Sequence, residues 1–397
     1  MGKPQQLLPY LPWVGVIVVA FLAFILNTPE PELDWDGFVL PMTNRYAGTN
    51  TNTNNNKTPL TGIHVVISGS TSGIGRGTVE AMTKLGAHVF CLGRNATKLQ
   101  VLQDEFVVNA GSVTTVVADY NDLDSVSQAA DQLLELTQGR IDILLNNAGI
   151  HEGVLMLDNP TSQQGYDRIW SVNYMAHFLL TEKLAPALKQ ALHQPIVAQM
   201  SSSFHWVGDW SDLVPTGTDS NSPPKASNVG GTGGLFRTQR GYGNTKLAMI
   251  LHARALKRRN PDLENARIVS ICPAWVATNI MPNPIGTIVI ANLGFQHNGW
   301  GIASTLYAMF AKEDGHDYFS NSRALNMVVM HNEMAHAPWT FLLGLRDFGS
   351  FIMAFSVLAF QKLMPIAEPS IPSPITYNQD IQDQLYDWTK QAVSEWL

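Results

Sequence analysis

From Thr61 onwards the sequence alternates short, continuously apolar runs with segments of helical periodicity. Strands with one wet face would alternate apolar and polar residues, whereas strands buried on both faces do not. The pattern therefore predicts an α/β fold, a Rossmann-type doubly wound parallel sheet with helices on both faces. The predicted strands cover residues 62–68, 87–92, 113–118, 141–145, 196–200 and 267–272. The predicted helices cover residues 73–85, 98–109, 123–137, 166–192 and 242–259.

A glycine-rich loop, Ser68-Gly-Ser-Thr-Ser-Gly-Ile-Gly75, joins the first predicted strand to the first predicted helix. Its first glycine permits the turn, the second lets the backbone approach a pyrophosphate, and the third allows close packing of helix on strand. Because backbone N–H groups at a helix N-terminus attract phosphate, the loop predicts a dinucleotide site. The residues placed to form it are Gly69, Ser70, Ser72, Gly73, Ile74 and Gly75.

Tyr242 and Lys246 are four residues apart in a predicted helix, so both side chains lie on the same helix face. A tyrosine with its ordinary pKa of about 10 is a poor acid or base at neutral pH. A neighbouring ammonium group stabilises the phenolate and lowers that pKa. A dinucleotide site together with an activated tyrosine indicates hydride transfer to or from a carbonyl.

The first 29 residues carry one charged side chain, Lys3, and residues 7–26 are apolar and long enough to cross a bilayer as a helix. Residues 14–26 also have the length of the apolar part of a signal peptide. We favour a retained membrane anchor over residues 1–29, and a cleaved signal or organelle-entry segment and a buried helix stay open. Lys3 and the acidic residues after the segment favour an N-terminus on the cytosolic side.

Charged residues make up only 14% of the chain, against about a quarter in ordinary soluble proteins. Part of the surface is therefore expected to face something other than water. The net charge of −7 argues against a nucleic-acid partner, which would require a basic patch. The cysteine and histidine spacing contains no metal-binding motif.

Several segments lie outside the alternating pattern. Residues 30–60 are predicted to form a polar, flexible linker, and residues 209–240 a long inserted loop rich in Gly, Ser, Pro and Asn. A hydrophobic insertion is predicted over 323–375, with apolar runs within 337–367 that are too short to span a bilayer. These runs fit a membrane-dipping hairpin, an oligomer contact or ordinary core. Residues 376–397 are predicted to form a C-terminal helix.

Further motifs follow the glycine loop in a fixed order. They are Asn146-Asn147-Ala148-Gly149, Asn173 in a long helix, the triple serine Ser201-Ser202-Ser203, Tyr242-Gly-Asn-Thr-Lys246, and Cys272-Pro-Ala-Trp-Val-Ala-Thr278. With the glycine loop, they resemble the short-chain dehydrogenase/reductase family and, within it, the retinol dehydrogenase-like group. The resemblance covers roughly residues 61–322, which are expected to form one catalytic domain.

The resemblance implies four catalytic residues. Asn173 would hold a water that links Lys246 to solvent. Ser202 would polarise the substrate carbonyl, with Ser203 as the alternative because the register of the triple serine is ambiguous. Tyr242 would be the acid in reduction and the base in oxidation, and Lys246 would lower its pKa and bond the nicotinamide ribose. His205, three residues after Ser202, could line the pocket or pack in the core.

The resemblance also implies cofactor contacts beyond the glycine loop. Asp119 would bond the adenine amino group, Asn147 would lie beside the adenine ribose, and Val276 and Thr278 would contact the nicotinamide carboxamide. NADP(H) is favoured over NAD(H), because position 93 lacks the carboxylate that would bind the ribose 2′-OH and Arg94 can pair with a 2′-phosphate. Arg76 could assist Arg94.

These observations predict a membrane-associated, NADP(H)-dependent oxidoreductase that interconverts a lipophilic alcohol with its aldehyde or ketone. Retinoids, steroids and fatty aldehydes are the expected substrate classes. The expected location is an endomembrane such as the endoplasmic reticulum, and the resemblance allows a homodimer. A non-catalytic cofactor-binding scaffold or redox sensor, and an NAD-dependent dehydrogenase of the same fold, stay open as alternatives.

Overall fold

A computed structural model describes residues 33–48, 57–151, 160–206, 208–213, 237–273, 276, 278, 280, 298–312, 315–320 and 368–397. The predicted membrane anchor and the apolar segment 337–367 lie outside the described residues, as does most of the inserted loop 209–240. None of the helices within the described ranges is both long enough and apolar enough to cross a bilayer.

The centre of the fold is one sheet in the order β3-β2-β1-β4-β5-β6-β7-β8. Its first seven strands are parallel, and the short β8 is antiparallel to β7. The strands are β1 His64–Ser68, β2 His88–Gly93, β3 Ser112–Val117, β4 Ile143–Asn146, β5 Ile196–Met200, β6 Arg267–Cys272, β7 Tyr318–Ser320 and β8 Glu368–Pro369. The predicted parallel, doubly wound sheet is therefore confirmed.

Helices cover both faces of the sheet. They are α1 Leu40–Tyr46, which continues a π-helical turn Trp35–Val39; α2 Gly73–Lys84; α3 Ala96–Glu105; α4 Leu123–Leu136; α5, made of Arg168–Trp170, a π-helical turn Ser171–Met175 and Ala176–Leu188; α6 Trp210–Leu213; α7 Arg237–Arg259; α8 Asn298–Phe310; and α9 Gln379–Ala392. In β1, Val66 packs into one apolar cluster with α4, α5, α7 and α9, whereas Val65 and Ile67 pack into another with α1, α2, α3 and α8. This two-sided burial explains why the strands are continuously apolar.

The stretch 35–46 corrects the expectation of a flexible linker over residues 30–60. These residues are helical, and Val39 and Met42 are buried in the cluster with α2 and α8. The ring of Phe38 stacks on that of Tyr307 in α8, with centroids 5.7 Å apart. The apolar side chains of residues 35–46 are thus removed from water by packing against α2 and α8.

The α9 helix lies across α5 and α7 and completes the cluster on their side of the sheet. Tyr386 of α9 is buried against the ring of Phe178 of α5. Its hydroxyl donates to the Glu182 carboxylate at 2.8 Å. Arg258 at the end of α7 pairs with Asp383 at 2.8 Å. The outward faces of α5 and α7 are therefore covered by the chain itself.

Candidate active site

The turn after β1 has the geometry that its glycines permit. Gly69 and Gly73 have φ angles of +65° and +55°, in the left-handed region where other residues are strained. A Cβ atom on Gly75 would lie 2.3 Å from the carbonyl oxygen of Gly69. The α2 helix begins at Gly73, and its first N–H groups have no partner within the helix. They face the crevice where the strand order reverses between β1 and β4, a fitting cradle for a pyrophosphate.

The other loop residues hold this turn in place. The Ser70 hydroxyl donates to the carbonyl of Leu92 on β2 at 3.1 Å, and Ser72 occupies the N-cap position of α2 without a side-chain cap bond. A Cβ on Gly73 would lie 2.9 Å from Cγ2 of Thr278, so Thr278 lies directly beside the helix N-terminus. Thr278 and the loop thus share the same crevice.

Ile74 and Val276 are both buried, and both approach α8 at Gly301. A Cβ on Gly301 would lie 2.7 Å from Ile74 and 3.0 Å from Val276. The structure therefore places Val276 next to the start of α2, on the same side of the sheet as α8.

The Ser68 hydroxyl ties the glycine turn to the Asn-Asn-Ala-Gly segment after β4. It accepts from the backbone N–H groups of Asn147 and Ala148 at 2.8 and 2.9 Å, and it donates to Nε2 of His177 at 3.0 Å. The Asn147 side chain donates to the carbonyls of Ser68 and Gly69 at 2.9 and 3.3 Å. Asn147 therefore fixes the turn that would receive the cofactor, instead of extending its amide into the crevice.

Asn173 lies in the π-helical turn of α5, and this irregularity brings its side chain to the end of β4. Its Oδ1 accepts from the N–H of Ile150 at 2.8 Å, and its Nδ2 donates to the carbonyl of Ile150 at 3.0 Å and to Thr245 at 3.2 Å. A Cβ on Gly149 would lie 3.4 Å from Oδ1 of Asn173 and 3.6 Å from Nζ of Lys246. Asn173 and Lys246 therefore face the same glycine.

Tyr242 and Lys246 lie on one face of α7, as their spacing predicts. Nζ of Lys246 lies 5.4 Å from the centroid of the Tyr242 ring and donates to the carbonyl of Met200 at 2.9 Å. The side chain of Ser202 is close enough to the Tyr242 phenol to lower its pKa. Both Tyr242 and Lys246 are buried.

The three consecutive serines are distinguished by their partners. Ser201 is buried and donates to the carbonyl of Lys246 at 2.8 Å. The side chain of Ser202 is the one of the three that lowers the pKa of Tyr242, and its Oγ accepts from the N–H of Phe204 at 3.3 Å. Ser203 begins the 3-10 turn that follows β5. Ser202 thus lies nearer the phenol in effect, the alternative Ser203 lies in the next turn, and the assignment of Ser202 as the catalytic serine stays a prediction.

Burial dominates the electrostatics of this cluster. It raises the pKa of Tyr242 above its ordinary value, and the nearby Cys272 adds to the rise, whereas the bond from Ser202 lowers it. Burial lowers the pKa of Lys246 to about 8. The expectation that Lys246 depresses the pKa of Tyr242 is therefore not met by these contacts, because the ammonium group bonds the Met200 carbonyl and burial opposes ionisation of both groups.

The residues expected at the adenosine end lie at the carboxyl ends of β2 and β3. Arg94 is exposed and has no hydrogen bond or ion pair with any described residue. Arg76 instead pairs with Glu105 and lies over the ring of Phe106 at 5.5 Å. Asp119 accepts from the N–H of Asn121 at 3.0 Å, and it is the neighbouring aspartate at 122 that caps α4. Arg94 is thus without a partner among the described residues, whereas Arg76 is already paired.

Comparison with known proteins agrees with this geometry. The family model for short chain dehydrogenase matches residues 63–205. An uncharacterized oxidoreductase of Schizosaccharomyces pombe is 30% identical over 246 residues, which cover 59% of this chain and 67% of the relative. The chain belongs to the short-chain dehydrogenase/reductase family.

Two further proteins match this chain at lower identity. The oxidoreductase calI of Penicillium decumbens is 26% identical over 204 residues, 50% of this chain and 54% of calI. The chain thus spans about half of calI and two thirds of the yeast relative. The crystal structure of an uncharacterized protein from Mycobacterium paratuberculosis has the same fold, with a TM-score of 0.54, 20% identity, and coverage of 84% of this chain and 94% of that one.

Two aromatic rings flank Tyr242, and neither was predicted as a site residue from the sequence. The His151 ring lies 4.9 Å from that of Tyr242, centroid to centroid, and the Phe204 ring meets it edge-on at 5.7 Å. Burial lowers the pKa of His151 to about 4, so this imidazole is neutral at physiological pH. The sequence signal that could have identified His151 is its position, two residues after Gly149 in the segment that follows β4.

Proposed function

We propose that this protein is an NADP(H)-dependent oxidoreductase that interconverts a lipophilic alcohol with its aldehyde or ketone. The observation that carries the proposal is the position of the Lys246 ammonium, 5.4 Å from the centroid of the Tyr242 ring, with Ser202 close enough to the phenol to lower its pKa. A phenol and a hydroxyl that converge in a buried site can both bond one carbonyl oxygen.

The residues at the crevice fit a dinucleotide. The turn at Gly69 and Gly73 presents helix N–H groups to a pyrophosphate, and the close approach of Gly75 to Gly69 leaves no room for side chains there. When bound, the nicotinamide supplies the hydride in reduction and accepts it in oxidation.

In the proposed reduction, Ser202 donates a hydrogen bond to the substrate carbonyl and Tyr242 transfers its proton to the same oxygen. The carbonyl carbon gains the hydride, the oxygen gains the proton, and Tyr242 is left as a phenolate. Lys246, 5.4 Å from the ring centroid and with its pKa lowered by burial to about 8, is placed to return a proton to that anion. Oxidation reverses each transfer, with Tyr242 as the base.

The preference for NADP(H) rests on Arg94, which is exposed at the end of β2 and unpaired among the described residues. A planar guanidinium can bond a 2′-phosphate in a bidentate manner. The lipophilic substrate rests on the scarcity of charge and on the apolar segments 7–26 and 337–367. The same segments support the proposal of an endomembrane location, and a retinoid, steroid or fatty aldehyde would suit such a protein.

The proposal is tested by Tyr242→Phe, which removes only the phenolic hydroxyl. We expect turnover on a panel of lipophilic carbonyls, followed at 340 nm with NADPH and with NADH, to fall by about 100- to 10,000-fold. Binding of NADPH, measured by fluorescence titration, should change by less than about threefold because Tyr242 contributes mainly in the transition state.

The matched control is Tyr166→Phe, which removes a half-buried hydroxyl bonded to the carbonyl of Ala392. It should keep turnover near the wild-type value. Wild-type protein that binds NADPH but turns over no member of the panel would favour the non-catalytic scaffold. Tyr242→Phe with wild-type turnover would remove Tyr242 from the mechanism.

A further inference from the structure

The carbonyl of Ser202 is held by one residue through two bonds. The backbone N–H of His205 donates to it at 3.0 Å, and Nδ1 of the His205 ring lies 2.6 Å away. A carbonyl oxygen can only accept, so Nδ1 carries the proton. The turn that carries the Ser202 hydroxyl is therefore closed by an imidazole.

The other ring nitrogen of His205 binds a distant part of the chain. The backbone N–H of Ser373 donates to Nε2 at 3.0 Å. Since Ser373 N–H can only donate, Nε2 is unprotonated and the ring is a neutral imidazole in a single tautomer. The ring is completely buried, and burial lowers its pKa to about 4, in agreement with this assignment.

Ser373 belongs to a segment that is fixed independently of the site, which we call the C-terminal strap, Ser373–Tyr377. The guanidinium of Arg254 on α7 pairs with Asp317 at 2.7 Å, donates to the Thr376 hydroxyl at 3.1 Å, and lies 3.9 Å from the centroid of the Tyr377 ring. The Thr376 hydroxyl in turn donates to the carbonyl of Ser373 at 2.6 Å. The strap is thereby anchored to α7 and to the residue that precedes β7.

We propose that His205 is a positioning residue for the reaction: it links the Ser202 carbonyl to the C-terminal strap and so fixes where the Ser202 hydroxyl meets Tyr242. The proposal rests on the proposed function of this site. His205 bonds the serine's backbone and the strap, so it acts through Ser202. Residues about 170 positions further along the chain then determine the geometry of the candidate catalytic serine.

The two ends of the imidazole can be removed one at a time. The amide of Gln reaches the position of Nε2 and that of Asn the position of Nδ1, so His205→Gln can keep the bond to Ser373 and His205→Asn the bond to Ser202. We expect His205→Gln to lower kcat by about tenfold or more, because small displacements of catalytic groups have such effects. His205→Asn should retain more turnover than His205→Gln, and binding of NADPH should stay within about threefold of wild type in both.

A double-mutant cycle separates positioning from general damage. In a Ser202→Ala background there is no hydroxyl to position, so adding His205→Gln should change single-turnover rates by less than about twofold. A loss that persists in full in that background, or wild-type kcat in His205→Gln alone, overturns the proposal. The control is His252→Phe, which removes a buried histidine of α7 that has no part in the link between Ser202 and the strap. It should leave kcat unchanged.

The role of the strap is tested by Ser373→Pro, which deletes the N–H donor and puts the ring Cδ in the place of its hydrogen, so that the imidazole of His205 must separate from the strap. Ser373 has φ −47° and ψ 135°, and proline adopts such a conformation without strain. We expect kcat to fall in this variant as well, and wild-type kcat would overturn the part assigned to the strap. If the wild-type protein shows no turnover with any substrate, the proposed function fails instead, and the two failures are distinguished.

Discussion

At the scale of single residues, the site is a set of buried polar groups whose partners are mostly backbone atoms. The Ser68 hydroxyl bonds two backbone N–H groups, Asn173 bonds both backbone groups of Ile150, and Lys246 bonds the Met200 carbonyl. Buried polar side chains that are satisfied in this way fix the backbone around them. The backbone around the crevice is therefore held by the protein's own hydrogen bonds.

Arg94 gives a prediction on cofactor preference. Arg94→Ala should weaken NADPH binding by about 10- to 100-fold, the range expected for a charged hydrogen-bond partner, and leave NADH binding nearly unchanged. Titration of both cofactors measures the ratio. Arg76→Ala is the matched control, since Arg76 is already paired with Glu105. An unchanged NADPH-to-NADH ratio in Arg94→Ala would contradict the assignment.

His252 gives a prediction on stability. It is buried in α7 with its ring stacked on Phe178 at 4.6 Å, and neither ring nitrogen has a partner among the described residues. Replacing it by Phe keeps the stacking and removes the unpaired nitrogens, which cost about 1–3 kcal/mol when buried. Urea melts of His252→Phe at pH 7 should therefore show a gain of about 1 kcal/mol, and a loss of stability would contradict this account.

At the scale of elements, the helix over residues 35–46 invites a direct test. Met42 is 6% exposed, and replacing such a buried side chain by Ala costs about 2–5 kcal/mol. We expect Met42→Ala to lower the melting temperature and the urea midpoint accordingly. Arg45→Ala, on the exposed side of the same helix, should have little effect. Equal melting curves for both variants would support the flexible linker that was expected over residues 30–60.

The elements that sequence reasoning predicted are those with a strong local signal. The apolar runs at 196–200 and 267–272 match β5 and β6 without shift, and the glycine turn lies where its motif predicts. The helix expected over 166–192 is shorter and contains a π-helical turn at Asn173. The Asn173 side chain in that turn bonds Ile150, 23 residues earlier in the sequence, and no local pattern predicts such a contact.

The candidate site could be predicted where residue type and spacing carry chemistry. Tyr242 and Lys246 share a helix face, and Ser202 follows β5, as expected. The environment of these groups could not be predicted, because burial and contacts from distant segments set it. The His151 ring against Tyr242, the paired state of Arg76 and the link from His205 to Ser373 all arise from tertiary packing.

The position of α9 bears on the expected homodimer, which stays a prediction. Because α9 covers the outward faces of α5 and α7, a dimer through the bare faces of those helices would have to displace Tyr386 from its buried site and break the Arg258–Asp383 pair. A dimer formed elsewhere on the surface would leave both contacts in place.

At the scale of the whole molecule, the four histidines that are buried in the described part of the chain make stability depend on pH. Burial lowers the pKa of His151 and His205 to about 4 and of His177 and His252 to about 3. The unfolded chain takes up these protons near pH 6.5, whereas the folded chain does so only at the lower values. Between these limits the unfolded state binds more protons, so stability is complete above pH 6.5 and is lost as the pH falls.

We therefore expect the free energy of unfolding to fall by roughly 5 kcal/mol or more between pH 7 and pH 4.5. Urea melts at half-unit steps of pH measure this loss. In His252→Phe the free energy of unfolding should fall less steeply with pH, because one fewer group takes up a proton on unfolding. A free energy that is flat over this range would show that the four imidazoles are accessible to protons in the folded state.

The reach of α9 also has a consequence for how the protein is made. Tyr174 of α5 bonds Thr389 of α9 across 215 positions of sequence, and Ser127 of α4 bonds the carbonyl of Trp396 across 269. At roughly 5–20 residues per second, a ribosome needs about 10 to 40 seconds to synthesise the stretch between Tyr174 and Thr389. Throughout that interval the apolar face of α5 lacks its covering helix, so we expect a holding chaperone to bind the nascent chain until α9 has been synthesised.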